Sequence, residues 1–201
     1  MDMGWTSYHA TCYYKNGKIN RKQECDDHFE GGLNRGYYKV LKSTMKGSTY
    51  YAAVQMMMRR EKKENGEFVD IPIENGIVFA AVLLTQVDSK SYYNFSYKDM
   101  DETCGPYYYE CPESILALLS DTDNESAKNW RQLCRKMNAL KKLPVGSIIE
   151  FQRGEGNRVR LCKHPAAYQF KRPFWFNPDE FSYCRESQIP TSYTVVEEGV
   201  S

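Results

Sequence analysis

Three histidines and seven cysteines are the residues to test first for chemistry. A cysteine nucleophile needs a base within hydrogen-bond reach and an imidazole held in one orientation. Cys104 precedes Gly105-Pro106, so it sits at a sharp turn after a strand, where His9 or His28 could reach it through the fold. Asp99, Asp101 and Glu102 lie just upstream. Negative charge nearby raises a thiol's pKa and opposes a reactive thiolate, so a structural turn with a buried cysteine fits Cys104 better than a catalytic one. His9 stands in "GWTSYHATCYY", residues 4–14. With period two, Trp5, Ser7, His9, Thr11 and Tyr13 share one face, and Thr6, Tyr8, Ala10, Cys12 and Tyr14 share the other. His9 and Cys12 therefore cannot pair with each other. His9 and Cys104 remain as candidate catalytic residues, in a pocket that Thr11 and Tyr13 would help to line.

Metal binding needs clustered ligands. Cys104 and Cys111 in "CGPYYYEC" have six residues between them, where paired zinc cysteines favour about two to four, and Cys25 and His28 in "CDDH" are not such a cysteine pair, so no metal is expected. No cofactor is expected either. The chain contains no GxGxxG, no GxxxxGK[ST] and no GxSxG. The acids of "KDMDET" read as solvated. No CxxC occurs, and single cysteines spread through such a chain read as reduced thiols serving as small hydrophobes.

Charge separation is the strongest physical signal. Over residues 129–172 there are eleven bases against Glu150 and Glu155. Aromatics interleave with them in "AYQFKRPFWF" as Tyr168, Phe170, Phe174, Trp175 and Phe176. Alternating bases and rings on a β-surface suit phosphate contact plus base stacking. The candidate nucleic-acid-binding residues are Arg131, Arg135, Arg158, Arg160, Lys163, Lys171, Arg172 and Trp175. An ordinary charged surface over an aromatic core would show the same composition, because strand alternation sends half of the rings inward. The whole-chain charge is +1, which excludes a strongly acidic nucleic-acid mimic and a globally basic binder.

These residues need a frame of strands and helices. The 201 residues suit one large domain or two small ones, and 41% hydrophobic with 26% charged composition predicts a folded chain. Residues 4–14, 37–41, 48–58, 77–87 and 91–97 read as strands. "RREKKENGE" is an exposed hairpin tip with Asn65-Gly66 at its turn. Asn20 can cap a short helix through Phe29. An acidic connector over 98–125 leads to a short helix over 112–119. A longer helix, capped by Asp121 or Asp123, runs to about Lys142. On it Ala127, Trp130, Leu133, Cys134, Met137 and Leu140 make a buried stripe, with Lys128, Arg131, Arg135 and Lys142 opposite. Pro144 breaks it. Beyond it "SIIEF", "RVRLC", "YQFKRPFWF" and "YTVVE" predict four or five short antiparallel strands. The expected fold is α+β: an antiparallel or mixed sheet with helices over 1–120, a linking amphipathic helix over 121–143, and a small β-barrel-like module over 144–201. No signal peptide is visible, and "IVFAAVLL" is too short to span a bilayer, so a cytoplasmic protein without membrane contact is expected.

The segments "MGWTSYHA", "LNRGYYKVLKSTMKGSTYYAAV", "VDSKSYYNFSYKDMDETCGP", "CPESILALLSDTDNESAKNWR" and "KHPAAYQFKRPFWF" are distinctive. Together they resemble a family of uncharacterised proteins carried by phages, plasmids and conjugative elements of gut Gram-positive bacteria. The resemblance covers nearly the whole chain and carries over no catalytic residue. It implies an accessory protein of a mobile element, a class that often acts on nucleic acid or against host defence. The expectation is a non-catalytic protein that binds nucleic acid or a nucleoprotein. A small enzyme or nucleotide-binding pocket around His9 and Cys104 is the alternative. A third is a protein-protein adaptor using residues 98–125.

Overall fold

The computed structural model describes residues 5–9, 14–15, 18–31, 35–89, 92–100, 108–167 and 169–199, with backbone alone for 5–9, 14–15, 18–19, 86–89 and 92–100. It is a mixed α+β fold with two five-stranded antiparallel sheets and few helices. The chain divides into two compact units, Met1–Arg131 and Gln132–Ser201. No helix among the described residues is long and apolar enough to cross a membrane.

In the first unit the sheet order is β1-β7-β6-β5-β4. Its strands are β1 (Trp5–His9), β4 (Tyr38–Lys46), β5 (Thr49–Lys62), β6 (Phe68–Ser89) and β7 (Tyr92–Met100). A two-residue pair, β2 (Tyr14–Lys15) with β3 (Lys18–Ile19), precedes helix α1 (Arg21–Glu30). Asn20 caps α1 by accepting a hydrogen bond from the Gln23 amide at 3.4 Å. The helix presents Cys25 and Phe29, one turn apart, to Tyr50, Ala52 and Val54 of β5 and Phe79, Ala81 and Leu83 of β6. Removing a ring such as that of Phe29 from water contributes about 2 kcal/mol. Asp26 pins the helix sideways. Its Oδ1 accepts from Ser43 Oγ at 2.6 Å and Tyr50 OH at 2.8 Å, and Oδ2 meets Lys22 Nζ at 2.7 Å.

The opposite face of β5 and β6 carries Tyr51, Ala53, Ala80 and Val82, also buried. Helix α2 (Glu113–Leu116) packs against β5 and buries Ile115 and Leu116. The Tyr51 hydroxyl accepts from the Glu110 amide at 3.2 Å. Both faces of the central strands are thus covered over 79–83, which accounts for the middle of the apolar run 77–84, while Ile77 at its start is exposed. Beyond Met56 the two strands continue as a charged hairpin whose turn has Gly66 at φ 86°.

Helix α3 (Glu125–Lys142) spans the boundary between the units. Its cap is Asn124, whose Oδ1 accepts from the Ala127 amide at 3.0 Å, rather than Asp121 or Asp123. Four consecutive side chains of the capping type, Asp121 to Asn124, precede Glu125, and only the one immediately before the first turn has the geometry to cap it.

The second unit holds β8 (Ile148–Arg153), β9 (Asn157–His164), β10 (Phe174–Asn177), β11 (Ser182–Cys184) and β12 (Thr194–Glu197), in the order β11-β10-β9-β8-β12. The sheet is antiparallel throughout, and no closure of it into a barrel is seen among the described residues. Strand alternation divides it cleanly. Ile149, Phe151, Val159, Leu161, Trp175 and Cys184 point inward and pack with Leu140 and Ile189. Cys25, Cys111, Cys134, Cys162 and Cys184 are not joined in disulfides, and all but Cys162 are buried.

Candidate nucleic-acid interface

The outward residues of β8 to β11 are the complement of that core. Register places Arg158 and Arg160 on β9 beside Gln152 and Glu150 of β8, and Cys162 between Ile148 and Phe176. Next come His164 opposite Phe174, and Phe176 opposite Tyr183. One end of the outer face is therefore charged and the other aromatic.

The aromatic end is continuous. Phe170 stacks on Phe174 at 4.3 Å between ring centroids, and Phe174 stacks on His164 at 5.7 Å. His164 meets Phe176 edge-on at 5.4 Å, Phe176 meets Phe181 at 6.4 Å, and Phe170 lies 5.3 Å from Tyr183. Phe181 is 86% exposed and Tyr183 54%. The turn that presents Phe181 is built by Asn177, whose buried Oδ1 accepts from the amides of Asp179 at 2.9 Å and Glu180 at 3.3 Å. Phe181 itself has φ 48°, a left-handed conformation that a bulky side chain adopts at a cost of about 1 kcal/mol.

At the charged end, Arg158 and Arg160 both pair with Glu150, the second through Nε at 3.7 Å. The Glu150 side chain is only 12% exposed, against 74% for Arg158 and 49% for Arg160. A guanidinium carries five N–H donors in a fixed fork. Each arginine thus meets a nearly buried carboxylate while much of its side chain stays in solvent. Glu150 cancels one of the two charges and orients both. Lys171 and Arg172 are exposed beside Phe170.

Four of the eight residues picked from the sequence lie elsewhere, three of them buried. Trp175 is inward, 1% exposed, because it alternates with Phe174 and Phe176. Lys163 is 5% exposed, and its Nζ donates to the carbonyls of Leu140 at 2.9 Å, Lys141 at 3.1 Å and Leu143 at 2.7 Å. It closes the C-terminus of α3, whose last carbonyls have no partner within the helix, and it lies 5.7 Å from the Trp175 ring centroid. Burial pushes its amine below the usual lysine range. Arg131 is 7% exposed and donates to the Ser120 carbonyl at 2.6 Å. These three hold the fold and do not offer donors to a ligand. Lys136, counted among the eleven bases, is likewise buried, with its Nζ on the Ile189 carbonyl at 2.6 Å. The surface is therefore less basic than the linear count implies. Arg135 is exposed on α3, apart from the sheet strands.

Sequence reasoning omitted His164, Phe181 and Tyr183. Period two along β9 carries Arg158, Arg160 and Cys162 on to His164, so that one was readable. Phe181 and Tyr183 have the same spacing, but β11 is three residues long and gives too little pattern to register as a strand.

Cys104 and Tyr168 lie outside the described residues, as do Thr11 and Tyr13. His9 ends β1, where only the backbone is described. Among the described residues, no group of three or more His, Cys, Asp or Glu is placed to hold a metal ion. Comparison with protein-family models, curated proteins and solved structures gave no match.

Proposed function

We propose that the protein binds nucleic acid, free or in a nucleoprotein, through the outer face of its C-terminal sheet, without catalysing a reaction. One observation carries this reading: a continuous outward cluster of six rings bordered by four exposed cationic side chains, Arg158, Arg160, Lys171 and Arg172. Water-exposed rings beside cations match a ligand that has both flat apolar faces and a regular array of anions. A role as an accessory of a mobile element, including counter-defence, accords with the motif resemblance.

The test is binding of a labelled mixed-sequence oligonucleotide pool across a salt series. Affinity falls steeply with salt if phosphates are contacted. The triple variant Arg158→Gln, Arg160→Gln and Lys171→Gln loses most binding; because it also takes both cations from the nearly buried Glu150, Lys171→Gln with Arg172→Gln, both exposed, weakens binding with that pair intact. Salt-independent binding, or none at low salt, overturns the proposal.

A further inference from the structure

We infer that the outer face takes unpaired bases, so that its ligand is a single strand rather than a duplex. This rests on the nucleic-acid reading above and specifies which form of nucleic acid it means.

The rings supply the reason. Phe174 and Phe176 share one face of β10, Phe176 lies opposite Tyr183 of β11 and Phe174 opposite His164 of β9, and neighbouring strands lie about 4.8 Å apart, so the rings form one patch over three strands. Phe170 extends that patch, and Phe181 stands at its end with most of its surface in water. A flat sheet carrying rings offers π-faces and edges. A base can meet them only when its own face is free, which is so in a single strand and not inside a stacked duplex. A duplex would reach only the cations, leaving the aromatic patch without a partner. The strained φ of Phe181 points the same way. A left-handed bulky residue at an exposed turn gains nothing for the core, and it places a ring where a ligand can meet it.

Arg158 and Arg160 stand two residues apart on β9, about 7 Å along the strand. That separation is comparable with the distance between successive phosphates on an extended single strand. Glu150 pairs with both guanidiniums, which lie on the same outer face as the rings and toward its other end. The common chemistry is a phosphodiester chain with unstacked bases, whether ribose or deoxyribose.

The experiment compares three probes of about 12 nucleotides, a length within the span of small single-strand sites: oligo(dT), oligo(U) and a mixed-sequence duplex. The full chain is titrated at several salt concentrations by fluorescence anisotropy. At least one single strand binds about tenfold tighter than the duplex. Tyr183→Ala and Phe174→Ala each weaken single-strand binding about tenfold with an unchanged salt slope, as stacking loss predicts. Arg160→Gln lowers the slope by about 0.7. Because Phe174 is half-buried, Tyr183→Ala, at an exposed position, keeps the test sound if the former unfolds. Duplex binding as tight as single-strand binding, or a Tyr183→Ala variant that binds like the parent, overturns the inference and leaves the nucleic-acid reading standing. Failure of all three probes at low salt removes both.

Discussion

Phe181 and Lys163 illustrate opposite uses of a residue whose type conflicts with its place. Phe181 is apolar, exposed and left-handed, so it costs the fold something and returns little packing beyond an edge contact with Phe176. Asparagine tolerates that backbone. Phe181→Asn is therefore expected to leave stability within about 0.5 kcal/mol of the parent, relief of strain offsetting the lost ring contact. Single-strand affinity should fall in the same variant. A large loss of stability in urea titration would assign the ring to the fold instead. Lys163 is charged and buried, and its three carbonyl partners account for it. Lys163→Met keeps the stem but leaves the end of α3 without donors. A loss of about 2–4 kcal/mol is expected, by the cost of unsatisfied buried acceptors. Salt dependence of nucleic-acid binding should not change, which separates Lys163 from Arg160. An unaltered urea midpoint would show that water replaces the ammonium.

At the scale of elements, the β5–β6 ladder depends on one irregularity. Between Met56 and Met58 the register shifts, and β6 carries the extra residues. Asn75 and Gly76 there have φ 60° and 63°. Gln55 Nε2 donates to the Asn75 carbonyl at 2.8 Å, and a Cβ on Gly76 would lie 2.6 Å from Gln55 Cγ. Gly76→Ala thus combines left-handed strain with a clash, whereas Gly66→Ala at the hairpin tip meets open space. The expected loss is about 1 kcal/mol for Gly66→Ala and about 2–3 kcal/mol for Gly76→Ala. Adding Gln55→Ala should recover the difference; equal losses for the two glycines would refute the close approach. The Asn65-Gly66 tip was legible from composition, because its turn chemistry is local. The bulge was not, although Asn75-Gly76 has the same dipeptide, because a turn and a bulge differ only in what the partner strand does. Strands β4 to β7 were legible from their aromatic and apolar runs, and α3 from its 3.6-residue stripe. The burial of Arg131, Lys136 and Lys163 was not legible. Each is held by backbone carbonyls, and nothing in a residue's type shows where a carbonyl will lie. The site was half legible for the same reason: alternation says that rings divide between faces, and only the position of Leu140 and Ile189 decides which half is inward.

Across the whole molecule, net charge near zero conceals protons held by burial, and these set how stability varies with pH. Cys25 is pushed well above the ordinary thiol value of 9.0, first by burial and then by Asp26 and Glu24. Tyr50 is pushed well above 10.0, again first by burial, with Asp26 reinforcing. Below pH 9 folded and unfolded chains both hold these protons. Above it the unfolded chain releases them and the folded chain does not, so stability is lost as pH rises. The loss begins near pH 9 for Cys25 and near pH 10 for Tyr50, at about 1.4 kcal/mol per pH unit for each group. Lys136 and Lys163 act in the other sense. Burial lowers their pKa, so just below 10.5 the unfolded chain binds protons that the folded chain gives up, and stability rises with pH there. Burial also raises Cys162, Cys184 and Tyr193, so more groups drive the fall than oppose it, and the sum falls. Urea unfolding followed by circular dichroism should give a lower midpoint at about pH 10.5 than at about pH 8. Cys25→Ala should lessen the part of the decline that starts near pH 9, with Cys162 and Cys184, also raised by burial, keeping the remainder. Tyr50→Phe should start from a lower stability, having lost its bond to Asp26, yet decline less. If the double variant declines as steeply as the parent, the two buried protons are not what the fold loses in alkali.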